Sequence, residues 1–288
     1  MIRCRLSGCG KRIWGIPPTQ GWVRVALATL PVGQCMAERN IPDNVQMRGY
    51  RTDLAYIHDA GFREYSLKAA PWMLATLRRQ GVPDGLIVDL GSGSGRWAAE
   101  LCRAGYDVLG IDQSQPMIDL ARRIAPKARF RKGSLLKAAL PACDGVTSIG
   151  ECINYCFDES NRRETVRQLF ARVHAALRPG GVFLFDTAEP KRLARPLPYQ
   201  IWRKGRDWAI LVSTDGDRDR NILRREMTFF RKDGNCYRRS EETHVLRLYA
   251  ARDLIADLMD CGFTARRFSS FGGFQPPLGM AVVVAVKR

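Results

Sequence analysis

Leu86-Ile87-Val88-Asp89-Leu90-Gly91-Ser92-Gly93-Ser94-Gly95-Arg96 is a short apolar run that ends on three alternating glycines. Its apolar half predicts a strand buried on both faces, as in a parallel sheet. Glycines 91, 93 and 95 permit positive φ and let a ligand approach the backbone, and the helix expected from Gly95 offers free N–H groups at its start. A tight strand-to-helix turn needs fewer glycines than this. A dinucleotide fingerprint wants its third glycine where this chain has Arg96. The pattern here is DxGxGxG, and Asp89 sets an anion where a pyrophosphate would be repelled and an ammonium attracted. Asp112, 17 residues past Gly95 at the end of the next strand, can accept from both hydroxyls of a ribose.

Outward from this loop, strands and helices alternate. Residues 64–80 carry Leu67, Met73, Leu74 and Leu77 at helical spacing, with Pro71 either kinking the helix or starting a second one. After Gly95 come a helix to about 104, a strand 107–111 and a helix that Ser114 can cap. Strands near 128–131 and 145–149 follow, then a helix near 160–177 stopped by Pro179-Gly180-Gly181, and a strand 182–185. Such alternation predicts an α/β fold with a parallel sheet covered on both faces. The rhythm breaks at about 190, where three β-rich runs (208–214, 222–232 and 236–250) are separated by turns carrying Asp215-Gly216 and Asp233-Gly234. These predict an inserted antiparallel β subdomain. A helix around Leu254–Met259 and two strands joined by a helix-free loop, which must run antiparallel if they pair, close the chain.

At Asp89, Gly91, Gly93, Gly95 and Asp112 the chain resembles the class I S-adenosylmethionine-dependent methyltransferases that act on small molecules, most strongly over about residues 81–189. The turn Leu177-Arg178-Pro179-Gly180-Gly181 matches the family's approach to its fifth strand, and the closing helix and hairpin match its reversed last strand. The resemblance implies a Rossmann-like seven-stranded sheet, mostly parallel with the last strand antiparallel. It further implies a core of 81–189 and 249–288, a helical segment over 47–80 and an acceptor lid over 190–248. S-adenosylmethionine would then be held by Asp89, Gly91, Ser92, Gly93, Gly95, Asp112, Gln113, Met117, Ser134, Leu135, Gly150 and Glu151. Gly150-Glu151-Cys152-Ile153-Asn154-Tyr155 would pass the methionine portion and face the acceptor. It lacks the Asn/Asp-Pro-Pro-aromatic stretch of enzymes that methylate amino groups of bases.

A sulfonium is an activated methyl donor, so the protein must mainly align acceptor and methyl, and it needs a base only where the acceptor keeps its proton. Glu151, His58 and Tyr155 are the catalytic candidates for an N or O acceptor, with His244 a further one. Tyr56, His58, Tyr155 and Arg247 are candidate acceptor contacts, and Tyr249 either joins them or knits the insertion to the core. Two alternatives stay open: the same cofactor with RNA or protein as acceptor, and a non-catalytic nucleotide-binding protein.

The 288 residues carry a formal charge of +17, and 37 of the 46 basic residues are Arg, scattered with no like-charge run to mark a binding tail. Nucleic acid is therefore the less favoured partner. Residues 190–249 hold 15 basic against 8 acidic residues, which leans slightly towards an anionic acceptor. Nine cysteines without a CxxC pair read as free thiols of a reducing, cytoplasmic setting, and with three histidines they suggest no metal site. No apolar stretch approaches the roughly 20 residues of a membrane-spanning helix. Residues 1–46 lack periodicity and read as a disordered extension or an over-long start before Met47.

Overall fold

Strand β1 (Leu86–Leu90) turns Ile87 to one side of the sheet and Val88 and Leu90 to the other, and all three are fully buried. That placement requires neighbours on both edges and cover on both faces. In the computed structural model, which describes residues 49–288, β1 pairs in parallel with β2 (Asp107–Asp112) and β4 (Cys143–Ser148). The parallel sheet extends through β3 (Arg129–Lys132) on one side and β5 (Leu177–Ala188) on the other. Strand β11 (Met280–Lys287) runs antiparallel to β5, and β10 (Phe263–Phe268) antiparallel to β11. The order is β10-β11-β5-β4-β1-β2-β3, a seven-stranded Rossmann-like sheet with its last strand reversed. The expectations for residues 1–46 fall outside the described residues.

Helices α2 (Glu64–Arg79) and α3 (Arg96–Arg103) pack on the face that carries Ile87, Val182, Leu184 and Val282. Helices α5 (Arg163–Ala176) and α6 (Ala251–Asp260) pack on the opposite face, against Val88, Phe183, Phe185 and Val283. The period of two along β5 and β11 therefore divides their side chains between two cores. Helix α4 (Gln115–Ile124) begins where Ser114 Oγ accepts from the Met117 N–H at 3.2 Å, the cap its sequence predicts.

Three expectations are corrected. Helix α2 runs unbroken through Pro71, and the interruption falls earlier, at Arg63, which separates it from a further helix, α1 (Thr52–Phe62). Strand β5 is longer than the apolar stretch 182–185 because its first residues pair with β4 across an irregularity between Cys143 and Gly145. The insertion has four strands: β6 (Tyr199–Lys204), β7 (Trp208–Asp217), β8 (Ile222–Asp233) and β9 (Cys236–Arg247), in that order and antiparallel throughout. Strand β6 escapes a reading of pattern because it is an edge with almost every side chain exposed, so no buried face imposes alternation.

Phe185 is fully buried, its ring 4.7 Å from that of Phe183 and 5.7 Å from that of Phe170. Phe185→Ala should cost about 3–5 kcal/mol, seen as a lower urea midpoint with an unchanged slope.

Candidate active site

Loops at the carboxyl ends of β1, β2, β3 and β4 form the floor of a cavity of about 610 Å³, and one face of the four-stranded sheet forms its roof. That volume suits a small-molecule site. The glycine loop lies at the floor with φ of 73° at Gly91, 51° at Gly93 and 79° at Gly95. A side chain at Gly91 would also collide with Cys152, whose Sγ lies 2.5 Å from where a Cβ would stand. Asp112 fixes the loop: one carboxylate oxygen accepts from the Gly93 N–H (2.9 Å) and the other from the Ser114 N–H (2.8 Å). Asp89, 2% exposed, accepts from the Thr147 hydroxyl at 2.8 Å, and that hydroxyl in turn accepts from Trp97 Nε1. Burial drives the Asp89 carboxyl up to about 7 against the pull of Thr147, with Asp112 adding to the rise. Asp112 is raised as well, by burial, although three backbone N–H groups oppose it.

Of the residues expected to hold the cofactor, Asp89, Gly91, Ser92, Gly93, Asp112, Gln113, Met117, Ser134, Leu135, Gly150 and Glu151 line the cavity. Gly95 does not. It heads α3, where an added Cβ would lie 2.9 Å from Ala121 Cα, so its part is to let α3 and α4 approach. Ser134 is not free, since its hydroxyl donates to Asp158 at 2.8 Å. Asp158 also lines the cavity, and hydrogen bonds from Ser160, Lys137 and Ser134 outweigh its burial and hold its carboxyl at about 2. Nothing in the sequence near the third strand points to it, because it arrives from another loop.

Glu151 takes a left-handed conformation (φ 62°) beside Gly150 (φ 101°), and the Asp186 carboxylate accepts the N–H groups of both. Its own carboxylate accepts from Arg225 (2.9 Å) and Arg192 (3.3 Å). Burial acts to raise Glu151, but the two guanidiniums prevail and hold it below its usual value. A carboxylate so paired is a poor proton acceptor, so its geometry suits orienting the arginines better than acting as a base.

The roof is organised by strand register. Tyr199, Thr214, Arg225 and His244 stand opposite one another across the four strands, and Ile201, Val212, Met227 and Glu242 form the next row. His244, 2% exposed, has Nε2 at 3.1 Å from Glu242 Oε2. Glu242 also accepts from the backbone N–H groups of Tyr50 (2.8 Å) and Arg51 (2.9 Å). Acting as acceptor towards the ring too, it leaves the neutral imidazole a lone pair on Nδ1. Burial lowers the His244 pKa, opposed by Glu242 and assisted by Arg225, so the ring is neutral near pH 7.

Tyr155, His58 and His244 all line the cavity with Tyr50 and Phe157. Tyr155 and Tyr50 share a hydroxyl hydrogen bond of 3.1 Å, and Tyr155 stacks on Phe157 with centroids 4.8 Å apart. His58 Nδ1 is buried without a partner among the described residues, and burial takes its pKa down to about 4. Tyr56 and Arg247 are corrections, since neither lines the cavity. Tyr56 donates to Asp207 (2.7 Å) beneath the Arg231 guanidinium, and Arg247 donates to the Asn161 carbonyl. Tyr249 donates to the Asn161 side chain at 2.6 Å, which knits the end of the insertion to the core.

Residues 87–181 match the family model of a methyltransferase domain. The chain is a class I S-adenosylmethionine-dependent methyltransferase. It is 26% identical over 203 residues to a putative methyltransferase, YqeM, of Bacillus subtilis, covering 69% of this chain and 80% of the relative. Among solved structures, an S-adenosylmethionine-dependent methyltransferase from Clostridium acetobutylicum superposes with a TM-score of 0.70 at 20% identity, over 82% of this chain and 98% of that one. The sugar N-methyltransferase KedS8 from Streptoalloteichus sp. gives 0.67 at 19% identity, over 90% and 99%. At such identities these two structures speak for the fold.

Helix α1 joins the roof of this methyltransferase to its floor. Asp59 accepts from Arg96 through two bonds (2.8 and 2.7 Å) and from Ser94 (2.7 Å), both in the glycine loop and the helix it opens. Asp53, at the other end of α1, accepts from Arg238 and Arg231 of the roof, and Leu54 and Ile57 pack on Trp208, Ile210 and Met227. Asp59→Ala should cost about 1–3 kcal/mol and raise the susceptibility of residues 49–62 to limited proteolysis. An unchanged cleavage rate would show that the apolar face and the Asp53 pairs hold α1 without help from Asp59.

Proposed function

We propose that this enzyme transfers a methyl group to an N or O atom of a small-molecule acceptor bound under the four-stranded roof. The observation that carries the reading is a single cavity that has the acid-lined glycine loop on one side and the Glu242-oriented His244 on the other. The floor fits S-adenosylmethionine by its chemistry: raised carboxyls at Asp89 and Asp112 call for a cationic, hydroxyl-bearing ligand, and the Ser92 hydroxyl is buried without a partner. In this reading Asp89 meets the ammonium, Asp112 the ribose hydroxyls, Asp158 and Ser134 the adenine amine, and Met117 and Leu135 cover the ring. When bound, the cofactor supplies an electrophilic methyl whose bonding pair stays on sulfur as the acceptor's lone pair takes the methyl.

The chain's own residues orient the acceptor, exclude water and take its proton. Tyr50, Tyr155 and Phe157 enclose the reaction space with aromatic surface. His244 Nδ1 accepts the proton that an amine or hydroxyl acceptor must lose, and Glu242 stabilises the imidazolium. The roof row of Ile201, Val212 and Met227 offers the acceptor an apolar wall. The likeness to a sugar N-methyltransferase agrees with a compact, polar acceptor.

Calorimetric titration with S-adenosylmethionine and its demethylated product, followed by transfer of labelled methyl to a panel of small amines and hydroxyl compounds, tests the reading. Binding of both cofactor forms with turnover on a small acceptor supports it. Transfer only to RNA or protein, or an absence of binding, overturns it.

Two outcomes are expected of variants. Because the Asp89 carboxyl stands at about 7 before binding and a cation selects its ionised form, cofactor binding should release a proton. Affinity should then rise from about pH 6 to about pH 8 and level off above, as the carboxyl becomes ionised in advance. Asp89→Asn should bind more weakly and lose that slope. His244→Ala should lower kcat by about 10²–10⁴ with little change in cofactor affinity, whereas an equal loss of cofactor binding would reduce His244 to a packing residue.

A further inference from the structure

Most charged residues around the cavity are sorted by side, and Arg96, a base on the floor, is paired with Asp59. Asp89, Asp112 and Asp158 belong to the floor, whereas Arg192, Arg195, Arg203 and Arg225 come from the segment between β5 and β9. Arg192 and Arg225 lie deepest on that side, with side chains 12% and 16% exposed, and they share one carboxylate, that of Glu151. Their other partners are neutral: the Leu278 carbonyl accepts from Arg192 at 3.2 Å, and the Tyr155 hydroxyl from Arg225 at 3.4 Å. Arg192 Nε is buried with no hydrogen-bond partner among the described residues. Another carboxyl of this region, Asp186, is occupied by the N–H groups of Gly150 and Glu151 and by the Tyr65 hydroxyl. Among the described residues both guanidiniums thus draw on one carboxylate and the Arg192 Nε–H goes unsatisfied, a buried donor whose cost an anion would remove.

We propose that the acceptor carries an oxyanion, a carboxylate or a phosphate, which docks between Arg192 and Arg225 and presents its nucleophile towards His244. The inference rests on the methyltransferase reading and narrows its substrate class. Arg63, Arg195 and Arg203 stand exposed where the cavity opens, Arg195 over the Tyr199 ring at 5.0 Å and Arg203 over the Phe62 ring at 4.9 Å. Arg195 and Arg203, held on aromatic faces, and Arg63 beside them draw an anion inwards without closing the entrance. A purely cationic amine would be repelled from the same passage, so the arginines select among acceptors as well as bind them.

The test titrates the full chain, saturated with S-adenosylhomocysteine, with inorganic phosphate and separately with benzoate. Chloride holds the ionic strength constant, benzamide is the neutral counterpart, and heat and melting temperature are followed. Saturable binding of phosphate alone assigns a phosphate-bearing acceptor and of benzoate alone a carboxylate-bearing one, while benzamide has no effect. Arg192→Gln should weaken oxyanion binding by about tenfold or more while still binding S-adenosylhomocysteine, which serves as the check on folding. Arg192→Lys, which keeps the charge and loses the fork, should fall between. Absence of saturable binding, a benzamide effect equal to that of benzoate, or unchanged oxyanion affinity in Arg192→Gln overturns the inference while the methyltransferase reading stands. Failure of S-adenosylhomocysteine itself to bind would instead remove that reading and this inference with it.

Discussion

The contact on which the active site depends is the fork of Arg96 closed on the Asp59 carboxylate. It joins the helix that opens behind the glycine loop to a helix that otherwise packs on the four-stranded sheet. It acts together with the bonds from Arg225 of the roof to Glu151 of the floor, so the two sheets that enclose the cavity are tied to each other at two places. Two charge-assisted bonds in one plane constrain both distance and angle, which a single point charge could not do. The same helix carries Asp53 to two arginines of the roof, so one element of 11 residues sets the height of the reaction space.

Electrostatics inside that space follow from what each half must hold. Asp89 and Asp112 on the floor are raised by burial, so a cation would favour their ionised forms, whereas hydrogen bonds hold Asp158 low and Arg192 and Arg225 hold Glu151 ionised. Glu151 therefore marks the boundary between an acidic and a basic half. Its left-handed backbone, fixed by Asp186 through two N–H groups, carries a side chain that meets Arg192 and Arg225.

Much of the floor was legible in the sequence because its chemistry is local. Asp89, the three glycines and Asp112 lie within 24 residues, and the ligand-facing loop is a direct consequence of strand ending and helix beginning. The antiparallel pairing of β10 with β11 followed from a connecting loop without a helix, and the reversal of the last strand from the family resemblance. The roof was legible only as a set of β-rich runs. What brings Arg225 beside His244 is antiparallel register, and what brings Glu151 to Arg225 is a contact between residues 74 apart, neither of which leaves a mark in composition. The pairing of Glu242 with His244 was accessible, since alternate residues of a strand share a face, yet Tyr50 closing over both was not. Tyr56 and Arg247 were misjudged for the complementary reason. Each is a residue able to bind ligands in a suitable segment, but α1 turns Tyr56 to Asp207, and the end of β9 turns Arg247 to the Asn161 carbonyl.

The four-stranded roof is one uninterrupted stretch of chain, Tyr199 to Arg247, entering after β5 and leaving before α6. None of its strands pairs within the seven-stranded sheet. Under the proposed function, substitutions along its inward rows reshape what the enzyme accepts without disturbing a single register of the seven-stranded sheet. Such a fold can change its substrate through inheritance of small lesions in one segment while its chemistry stays fixed, and divergence among its relatives should concentrate there.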